Sequence, residues 1–434
     1  MNRRDFFRLA SMAGVGASMA SLSGLARAAT PAQLGTVPTN IGINGRVVVI
    51  GGGMGGATVA KYLRLWGGTG VSVTLVERET AYSSNILSNL VLNGQRTMTS
   101  LQFGYSNLAT RYGVKLVKGD VVGIDQAGHS VALADGSRLP YDRLVVAPGV
   151  DFDIIPGLET AAAQAKVPHA WKAGPQTTQL RNMLLTMKDS ERFVMTIPAK
   201  PYRCPPGPYE RACVVADWLK KNGRPNAKVI VLDANPSITA EPLAFGNAFN
   251  VLYKGMVEYY PGVSINSIDA STMSLNTSLG NISGKVINAI PAHRAGKVIV
   301  DNALANVGGR WAGVDVLTYQ STAAPGIHVI GDASATTQPK AGHIANQEAK
   351  ICADAIVRLL SGRSPDPSPL TNSACYSPIT SDTASWLSAV FGYDQATGTM
   401  LPVPGATVEA PSRSTDNYKE MFKWFNTLME DSFA

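Results

Sequence analysis

Cysteine and histidine are scarce in this sequence of 434 residues, which has four cysteines and five histidines. No Cys-x-x-Cys-His string occurs, so the chain does not itself attach a c-type haem. The histidines show no metal-ligand spacing with cysteines or carboxylates. We therefore expect no metal site.

Long apolar runs and a strong charge of either sign are also lacking. After residue 28 no hydrophobic stretch reaches the length of a membrane span, so we predict no transmembrane segment. Residues 1–28 carry four arginines and one aspartate, and without their net +3 the formal charge of +7 falls to +4. Such a mild excess does not indicate a nucleic-acid partner.

The N-terminal residues predict an export signal. Arg3 and Arg4 form a twin-arginine pair, residues 9–26 are weakly apolar, and Ala26-Arg27-Ala28 has the A-x-A pattern of a cleavage site. This order resembles a twin-arginine signal, a route that carries proteins already folded around a cofactor. We expect residues 1–28 to be removed and the protein to reach a bacterial periplasm. A disordered tail is the alternative interpretation.

A glycine-rich loop in residues 51–56 follows the first predicted strand, residues 46–50. A helix to about Trp66 and a strand over residues 71–76, ending at Glu77, come next. Gly51 suits the tight turn, Gly53 the approach of a pyrophosphate, and Gly56 the packing of helix on strand. Glu77 is placed to accept hydrogen bonds from the hydroxyls of a ribose. The pattern predicts dinucleotide binding.

Two later segments indicate which dinucleotide binds. Residues 144–149 form a strand that ends in Ala147-Pro148-Gly149, and residues 326–333 form a strand that ends in Gly331-Asp332. Both features resemble motifs of the glutathione-reductase-like flavoproteins. By that resemblance Ala147 and Gly149 lie at an altered A-T-G turn, and Asp332 holds the ribityl chain of FAD.

The segment after Asp332 is expected to face the flavin as well. A helix to about Leu360 is predicted after Gln338-Pro339-Lys340-Ala341-Gly342-His343. The positive end of its dipole would stabilise the anionic reduced flavin, and Lys340 would add a full charge. A solvated surface lysine is the alternative interpretation of Lys340.

A second α/β unit, residues 158–295, lies between the flavin segments. At the place of its phosphate loop stands the string from Pro201 to Arg211, with Cys204 and prolines at positions 201, 205, 206 and 208. Proline supplies no backbone N–H, so this turn is poorly suited to a pyrophosphate but can hold a sulfur rigidly. We predict that the unit kept its fold and lost its nicotinamide site, so that NAD(P)H is not used. A proline-stiffened turn around a buried thiol is the alternative.

The last part of the chain follows a proline-punctuated linker at residues 364–369. It contains the string Asn372-Ser373-Ala374-Cys375-Tyr376-Ser377 and a helix over about residues 417–430. That helix places five apolar side chains on one face, namely Tyr418, Met421, Phe422, Phe425 and Met429. Its flanking charges are mixed, which favours a core or interface role over a membrane anchor.

Together these strings resemble the flavoprotein subunit of flavocytochrome c sulfide dehydrogenase. Arg203-Cys204-Pro205-Pro206-Gly207-Pro208-Tyr209-Glu210-Arg211 is the most specific of them. The resemblance implies a redox disulfide between Cys204 and Cys375 beside the flavin, with Glu210 near it. It also implies that sulfide is the substrate and that electrons leave through a separate c-type cytochrome subunit, which carries the haem.

One departure from that family concerns the flavin tether. Members can hold FAD covalently through a cysteine before a Leu-Ser-Asn string, and Asn85 occupies that position here. No cysteine precedes Cys204, so we predict non-covalent FAD. Cys213 and Cys352 fall within predicted helices and are expected to be buried thiols.

The expected fold is therefore α/β, with two Rossmann-like dinucleotide-binding domains and a small C-terminal α+β interface domain. The predicted segments are a signal peptide (1–28), a split FAD domain (45–157 and 296–362), an NAD-binding-like domain (158–295) and a cytochrome-interface domain (363–434). The expected activity is FAD-dependent oxidation of sulfide to sulfur or polysulfide in the periplasm. The alternatives are a sulfide:quinone oxidoreductase and a non-catalytic flavoprotein that binds a sulfur carrier.

Overall fold

A computed structural model describes residues 35–434, and the predicted export signal lies outside these residues. The first unit contains strands β1 to β10 and helices α1 to α3. The strands are Gly45–Ile50, Val71–Glu77, Ala81–Ser83, Gln102–Gly104, Lys115–Lys118, Val121–Asp125, Ser130–Leu133, Arg138–Pro140, Arg143–Val146 and Val150–Phe152. The helices are Met54–Gly67, Asn89–Leu92 and Ser106–Thr110.

The central unit contains strands β11 to β18 and helices α4 to α7. The strands are Arg192–Ile197, Lys228–Asp233, Val257–Pro261, Ile265–Asp269, Ser274–Thr277, Gly280–Ser283, Val286–Ala289 and His293–Ala295. The helices are Ala161–Lys166, Pro175–Leu185, Gly207–Lys221 and Pro242–Asn247. Strands β13, β12, β11 and β17 form a four-stranded parallel sheet in that order.

The chain then returns to the first unit through helix α8 (Lys297–Asp301), strands β19 (Val314–Asp315), β20 (Gln320–Ser321) and β21 (Ile327–Val329), and helix α9 (Gly342–Leu360). One seven-stranded sheet joins the two parts of this unit in the order β19-β20-β21-β9-β1-β2-β5. Strands β21, β9, β1, β2 and β5 are parallel. The glycine-rich loop therefore leaves the middle of the sheet, at the carboxyl ends of its strands.

The C-terminal unit is an antiparallel sheet with one long helix. Its strands β22 to β25 are Leu370–Pro378, Ala384–Asp394, Thr399–Pro402 and Val408–Glu409, and its helix α10 is Thr415–Phe433. Met421, Phe425 and Met429 of α10 are buried, so the predicted apolar face belongs to the core. Phe433 stacks on Tyr82 of β3, with ring centroids 5.1 Å apart.

The predicted α/β class with two dinucleotide-binding-type units is confirmed by this architecture. Helix α6 begins at Gly207, because Pro208 is compatible with the first turn of a helix, where the backbone N–H has no partner. The β10–β18 ladder connects the first and central units beside the predicted boundaries at residues 157 and 295. Those boundaries stay predictions. None of the helices described between residues 35 and 434 has the length and apolarity needed to cross a bilayer.

Replacing Gly56 by alanine is expected to destabilise the first unit. A Cβ atom at Gly56 would lie 1.7 Å from the carbonyl oxygen of Gly51, a backbone atom that cannot turn aside as the end of a flexible side chain can. Overpacking of this kind costs about 1–3 kcal/mol or more in the free energy of unfolding. The check is the midpoint of thermal or urea unfolding.

Gly246→Ala is the matched control, because Gly246 is also helical and a Cβ there meets no atom within 4 Å. We expect it to be neutral or slightly stabilising. Equal losses of stability in the two variants would contradict the packing argument.

Candidate flavin and dithiol site

A cavity of about 1280 Å³ lies where the first, central and C-terminal units meet. Nine of the predicted site residues line it, namely Gly51, Gly53, Glu77, Ala147, Gly149, Cys204, Glu210, Asp332 and Cys375. Gly56 and Lys340 are not among its lining residues. The fold therefore brings the glycine-rich loop, both predicted redox cysteines and the acidic residues to one space.

The glycine-rich loop has the geometry that a phosphate requires. Gly51 has φ +94°, and a Cβ there would lie 2.5 Å from the carbonyl oxygen of Ala147. A Cβ at Gly53 would meet only the ring of Tyr82, at 4.0 Å, so a ligand can approach the backbone there. Glu77 accepts a hydrogen bond from the N–H of Gly52 at 2.6 Å and faces the same cavity. These residues fit the phosphate and ribose of a dinucleotide.

The hydrogen bonding of Asp332 indicates whether FAD fits the second half of the cavity. Its Oδ1 is buried and has no hydrogen-bond partner within residues 35–434. Burial raises the pKa of this carboxyl. A buried acceptor without a partner is costly, and a cofactor hydroxyl at this position would satisfy it. The lining therefore fits FAD, and Asp332 would hold its ribityl chain.

Lys340 lies behind the cavity wall and supports it. Its ammonium group donates to the carbonyl oxygens of Asp332 and Ser334, each at 2.8 Å, and lies 3.8 Å from the ring centre of Trp311. Burial lowers its pKa. Lys340 is thus neither a solvated surface lysine nor a residue that lines the flavin cavity. The cavity wall near it comes instead from the start of α9, where Gly342 and His343 line the space.

The turn before α6 holds Cys204 in a fixed position. Cys204 has φ +60°, and its N–H donates to the carbonyl oxygen of Lys340 at 2.7 Å. The N–H of Gly207 donates to the carbonyl oxygen of Cys204 at 2.9 Å. A Cβ at Gly207 would lie 2.8 Å from the sulfur of Cys204, so glycine is needed to leave room for the thiol. Both sides of the turn are thereby anchored.

Cys375 reaches the cavity from the opposite side, on strand β22. The N–H of its neighbour Ala374 donates to Nδ1 of His343 at 3.0 Å, which ties the strand to the start of α9. Both cysteines are free thiols in the structure, and the predicted disulfide between them stays a prediction. Burial raises the pKa of Cys375 to about 12 and raises that of Cys204 as well, and each sulfur is close to Glu210 electrostatically.

Glu210 is a buried acid with a single strong donor. Asn89 donates to its Oε1 at 2.9 Å, and burial raises its pKa to about 8. Asn89 in turn accepts from Arg211 at 2.9 Å. Arg211 is fully buried, and its other donors reach the carbonyl oxygens of His169 and Ala170. A carboxyl with this pKa can both hold and release a proton near neutral pH.

Several cavity residues were not found from the sequence. They are Asn89, Trp171 and Trp424, and a further buried acid, Glu241, is close enough to Cys375 to raise its pKa. Asn89 belongs to the Leu-Ser-Asn string, which could have indicated that this residue lies at the site. Asn85, at the tether position, accepts from the N–H of Ala173 at 2.8 Å and so fixes the loop that carries Trp171.

The acid at the second nucleotide-binding position of the fold is buried. Asp233 ends β12 as Glu77 ends β2, but its side chain is fully buried. It accepts hydrogen bonds from the hydroxyls of Tyr209 at 2.7 Å and Tyr259 at 2.9 Å. The acid that would bind a nicotinamide-nucleotide ribose is therefore already satisfied inside the protein.

The fold and the cavity define a flavin-dependent oxidoreductase with two dinucleotide-binding-type units. Comparison with known proteins narrows this class. The family model described as the pyridine nucleotide-disulphide oxidoreductases matches residues 45–183. The central and flavin-binding models of the flavocytochrome c sulfide dehydrogenase flavoprotein chain match residues 177–291 and 367–433.

Individual relatives agree with these matches. A sulfide dehydrogenase [flavocytochrome c] flavoprotein chain from Chlorobaculum thiosulfatiphilum is 56% identical over 46 residues, which are 11% of this chain and 94% of that sequence. The chain belongs to the family of flavocytochrome c sulfide dehydrogenase flavoprotein chains. A mitochondrial sulfide:quinone oxidoreductase from Dictyostelium discoideum is 23% identical over 320 residues, 70% of this chain and 69% of that protein.

Other relatives share one part of the chain or the fold alone. A probable ferredoxin reductase from Castellaniella defragrans is 37% identical over 108 residues, 24% of this chain, and the match spans only 26% of that reductase. The solved sulfide:quinone oxidoreductase of Aquifex aeolicus superposes with a TM-score of 0.72 at 17% identity, over 89% of this chain and 92% of that chain.

Replacing Asp332 by alanine is expected to weaken FAD binding. The change removes the unpaired buried acceptor, and a hydrogen bond to a charged group contributes about 1.5–3 kcal/mol, or roughly 10- to 100-fold in affinity. The measurement is the flavin released into the supernatant by acid precipitation, with a titration of FAD into the apoprotein. The same assay tests the non-covalent linkage, since flavin that stays in the pellet would contradict it.

Asp416→Ala is the control, because the side chain of Asp416 is 89% exposed at the start of α10. It should leave the FAD content unchanged. Full FAD affinity in Asp332→Ala would remove Asp332 from the cofactor site.

Proposed function

We propose that this chain is the flavoprotein half of a periplasmic sulfide dehydrogenase, in which Cys204 and Cys375 form the redox disulfide. The observation that carries the proposal is the meeting of two thiols from distant segments in the cavity that also holds the glycine-rich loop and Asp332. The family match supports the sulfide chemistry. The twin-arginine string supports export.

The first step is thiol–disulfide exchange. Hydrosulfide attacks one sulfur of the Cys204–Cys375 disulfide, so that one cysteine becomes a persulfide and the other leaves as a thiolate. Glu210 takes up the proton that hydrogen sulfide releases as hydrosulfide forms, for which its pKa of about 8 is suited. A second hydrosulfide attacks the persulfide and releases the oxidised sulfur.

FAD, when bound, accepts two electrons from the reduced site and gives them up one at a time. The protein supplies the electrostatic surroundings of the flavin. Helix α9 presents its N-terminus to the cavity at Gly342 and His343, and its dipole favours negative charge there. A c-type cytochrome subunit is the proposed acceptor, in line with the family.

A sulfide:quinone oxidoreductase is the second candidate. The fold similarity to the enzyme of Aquifex aeolicus favours it. The buried position of Met421, Phe425 and Met429 argues against α10 as an apolar anchor for a quinone-bearing bilayer. A non-catalytic flavoprotein is disfavoured because both cysteines are present and line the cavity.

The variants Cys204→Ser and Cys375→Ser are each expected to lower the rate of flavin reduction by sulfide at least about 100-fold, because neither can form the disulfide. The FAD content should not change. Stopped-flow absorbance of the flavin under anaerobic conditions measures the rate. Cys352→Ala is the control, since Cys352 is buried in α9 outside the cavity. Full activity in either serine variant would contradict the proposed disulfide.

Sulfide is expected to bleach the flavin of the wild-type protein. NADH should leave the flavin oxidised, because the hydroxyls of Tyr209 and Tyr259 already donate to the carboxylate of Asp233. After reduction by sulfide, oxidised cytochrome c should restore the flavin absorbance faster than a soluble ubiquinone does. Rapid bleaching by NADH would show that the central unit binds a nicotinamide nucleotide. Reoxidation by the quinone alone would support the second candidate.

A further inference from the structure

Glu241 is a buried acid that the proposed chemistry does not use. It lies in the segment between β12 and α7, where its backbone has φ +50°, and its side chain is 0% exposed. Its Oε1 accepts a hydrogen bond from the hydroxyl of Ser377 at 2.5 Å. Its Oε2 is buried and makes no hydrogen bond of good geometry among the described residues, although the hydroxyl of Ser385 is close enough to favour the charged carboxyl. A carboxyl kept in such a place is costly to the fold.

Ser377 connects Glu241 to the dithiol site. Ser377 and Cys375 are two residues apart on β22, so their side chains lie on the same face of the strand. Glu241 therefore packs on the face that carries the Cys375 thiol. After burial, Glu241 is the largest influence that raises the pKa of Cys375. Burial also raises the pKa of Glu241 itself, to about 7.

Other ionisable groups surround this pair. Glu210 on α6 faces Cys375, and Glu409 on β25 faces Glu241. Cys213 on α6 is close to Glu210 and Glu241, which raise its pKa, and to Arg413, which lowers it. The other redox cysteine, Cys204, has the cation of Arg203 as a neighbour that lowers its pKa. The two sulfurs thus meet different electrostatic surroundings.

We propose that Glu241 is a positioning residue of the dithiol site. Its carboxyl, which Ser377 holds against β22, opposes a negative charge on Cys375 and becomes protonated when that charge forms. Two neighbouring buried acids do not ionise independently, so a charge on one raises the proton affinity of the other. The site then carries one negative charge instead of two. The inference rests on the proposed function only in taking Cys375 as a reacting thiol.

The test measures the ionisation of Cys375 without sulfide turnover. In FAD-loaded Cys204→Ser protein, the rate of alkylation of Cys375 by iodoacetamide is followed against pH, and the modified peptide is identified by mass spectrometry. Adding Glu241→Gln keeps the shape of the side chain and removes its charge. The expected result is a downward shift of about one unit in the pKa of Cys375, which makes alkylation about tenfold faster below that pKa. Hydrogen–deuterium exchange of the backbone of residues 370–378 should stay the same, because the substitution is not expected to open the strand.

Glu409→Gln is the matched control, because Glu409 lies beyond Glu241 and accepts from the N–H of Ala244 at 2.8 Å. It should change the alkylation rate less than about twofold. Ser377→Ala gives a second route if Glu241→Gln does not fold. It removes the donor that stabilises the charged carboxyl, so it should shift Cys375 in the same direction by a smaller amount.

Two results would overturn the proposal. One is an unchanged pH profile in both the Glu241→Gln and Ser377→Ala variants. The other is faster alkylation together with faster hydrogen–deuterium exchange of residues 370–378, which would mean that the variants merely expose Cys375. Since no sulfide is present, either result leaves the proposed sulfide oxidation standing, and loss of sulfide oxidation in Cys375→Ser is a separate measurement.

Discussion

The hydrogen bond from the N–H of Cys204 to the carbonyl oxygen of Lys340 is the contact on which the site depends. It ties the cysteine turn of the central unit to the segment that follows Asp332. The side chain of the same lysine holds the carbonyl oxygens of Asp332 and Ser334. One residue therefore fixes the turn of Cys204 and the turn of Asp332 relative to each other. Reacting groups that come from different units need such a fixed separation to act together.

The two nucleotide-binding-type units show how a repeated fold takes different roles. Each has a parallel sheet and an acid at the end of its second strand. Glu77 lines the cavity, whereas Asp233 is buried under the hydroxyls of Tyr209 and Tyr259. Tyr209 belongs to the same string as Cys204, so one short segment both holds Cys204 at the cavity and covers the carboxylate of Asp233.

The sequence predicted those features that depend on local patterns. Gly51, Gly53 and Glu77 follow from spacing along one βαβ unit, and the structure places all three at the cavity. The position of Lys340 could not be predicted, because it depends on Trp311 and two carbonyl groups brought there by the fold, and its charge toward the flavin stays a prediction. No sequence pattern indicated a role for Glu241. Its partner Ser377 is 136 residues away, and only the packing of β22 on the central unit reveals the pair.

The packing of α10 on α1 also bears on how the protein folds. The hydroxyl of Thr58 donates to that of Ser432, and these two residues are 374 positions apart. Contacts between such distant segments form late, because the entropy of closing a long loop must be overcome first. Helix α1, into which the glycine-rich loop leads, is therefore covered by a segment that docks late. Because Trp424 of α10 lines the cavity, the cavity takes its full shape only after this segment has docked.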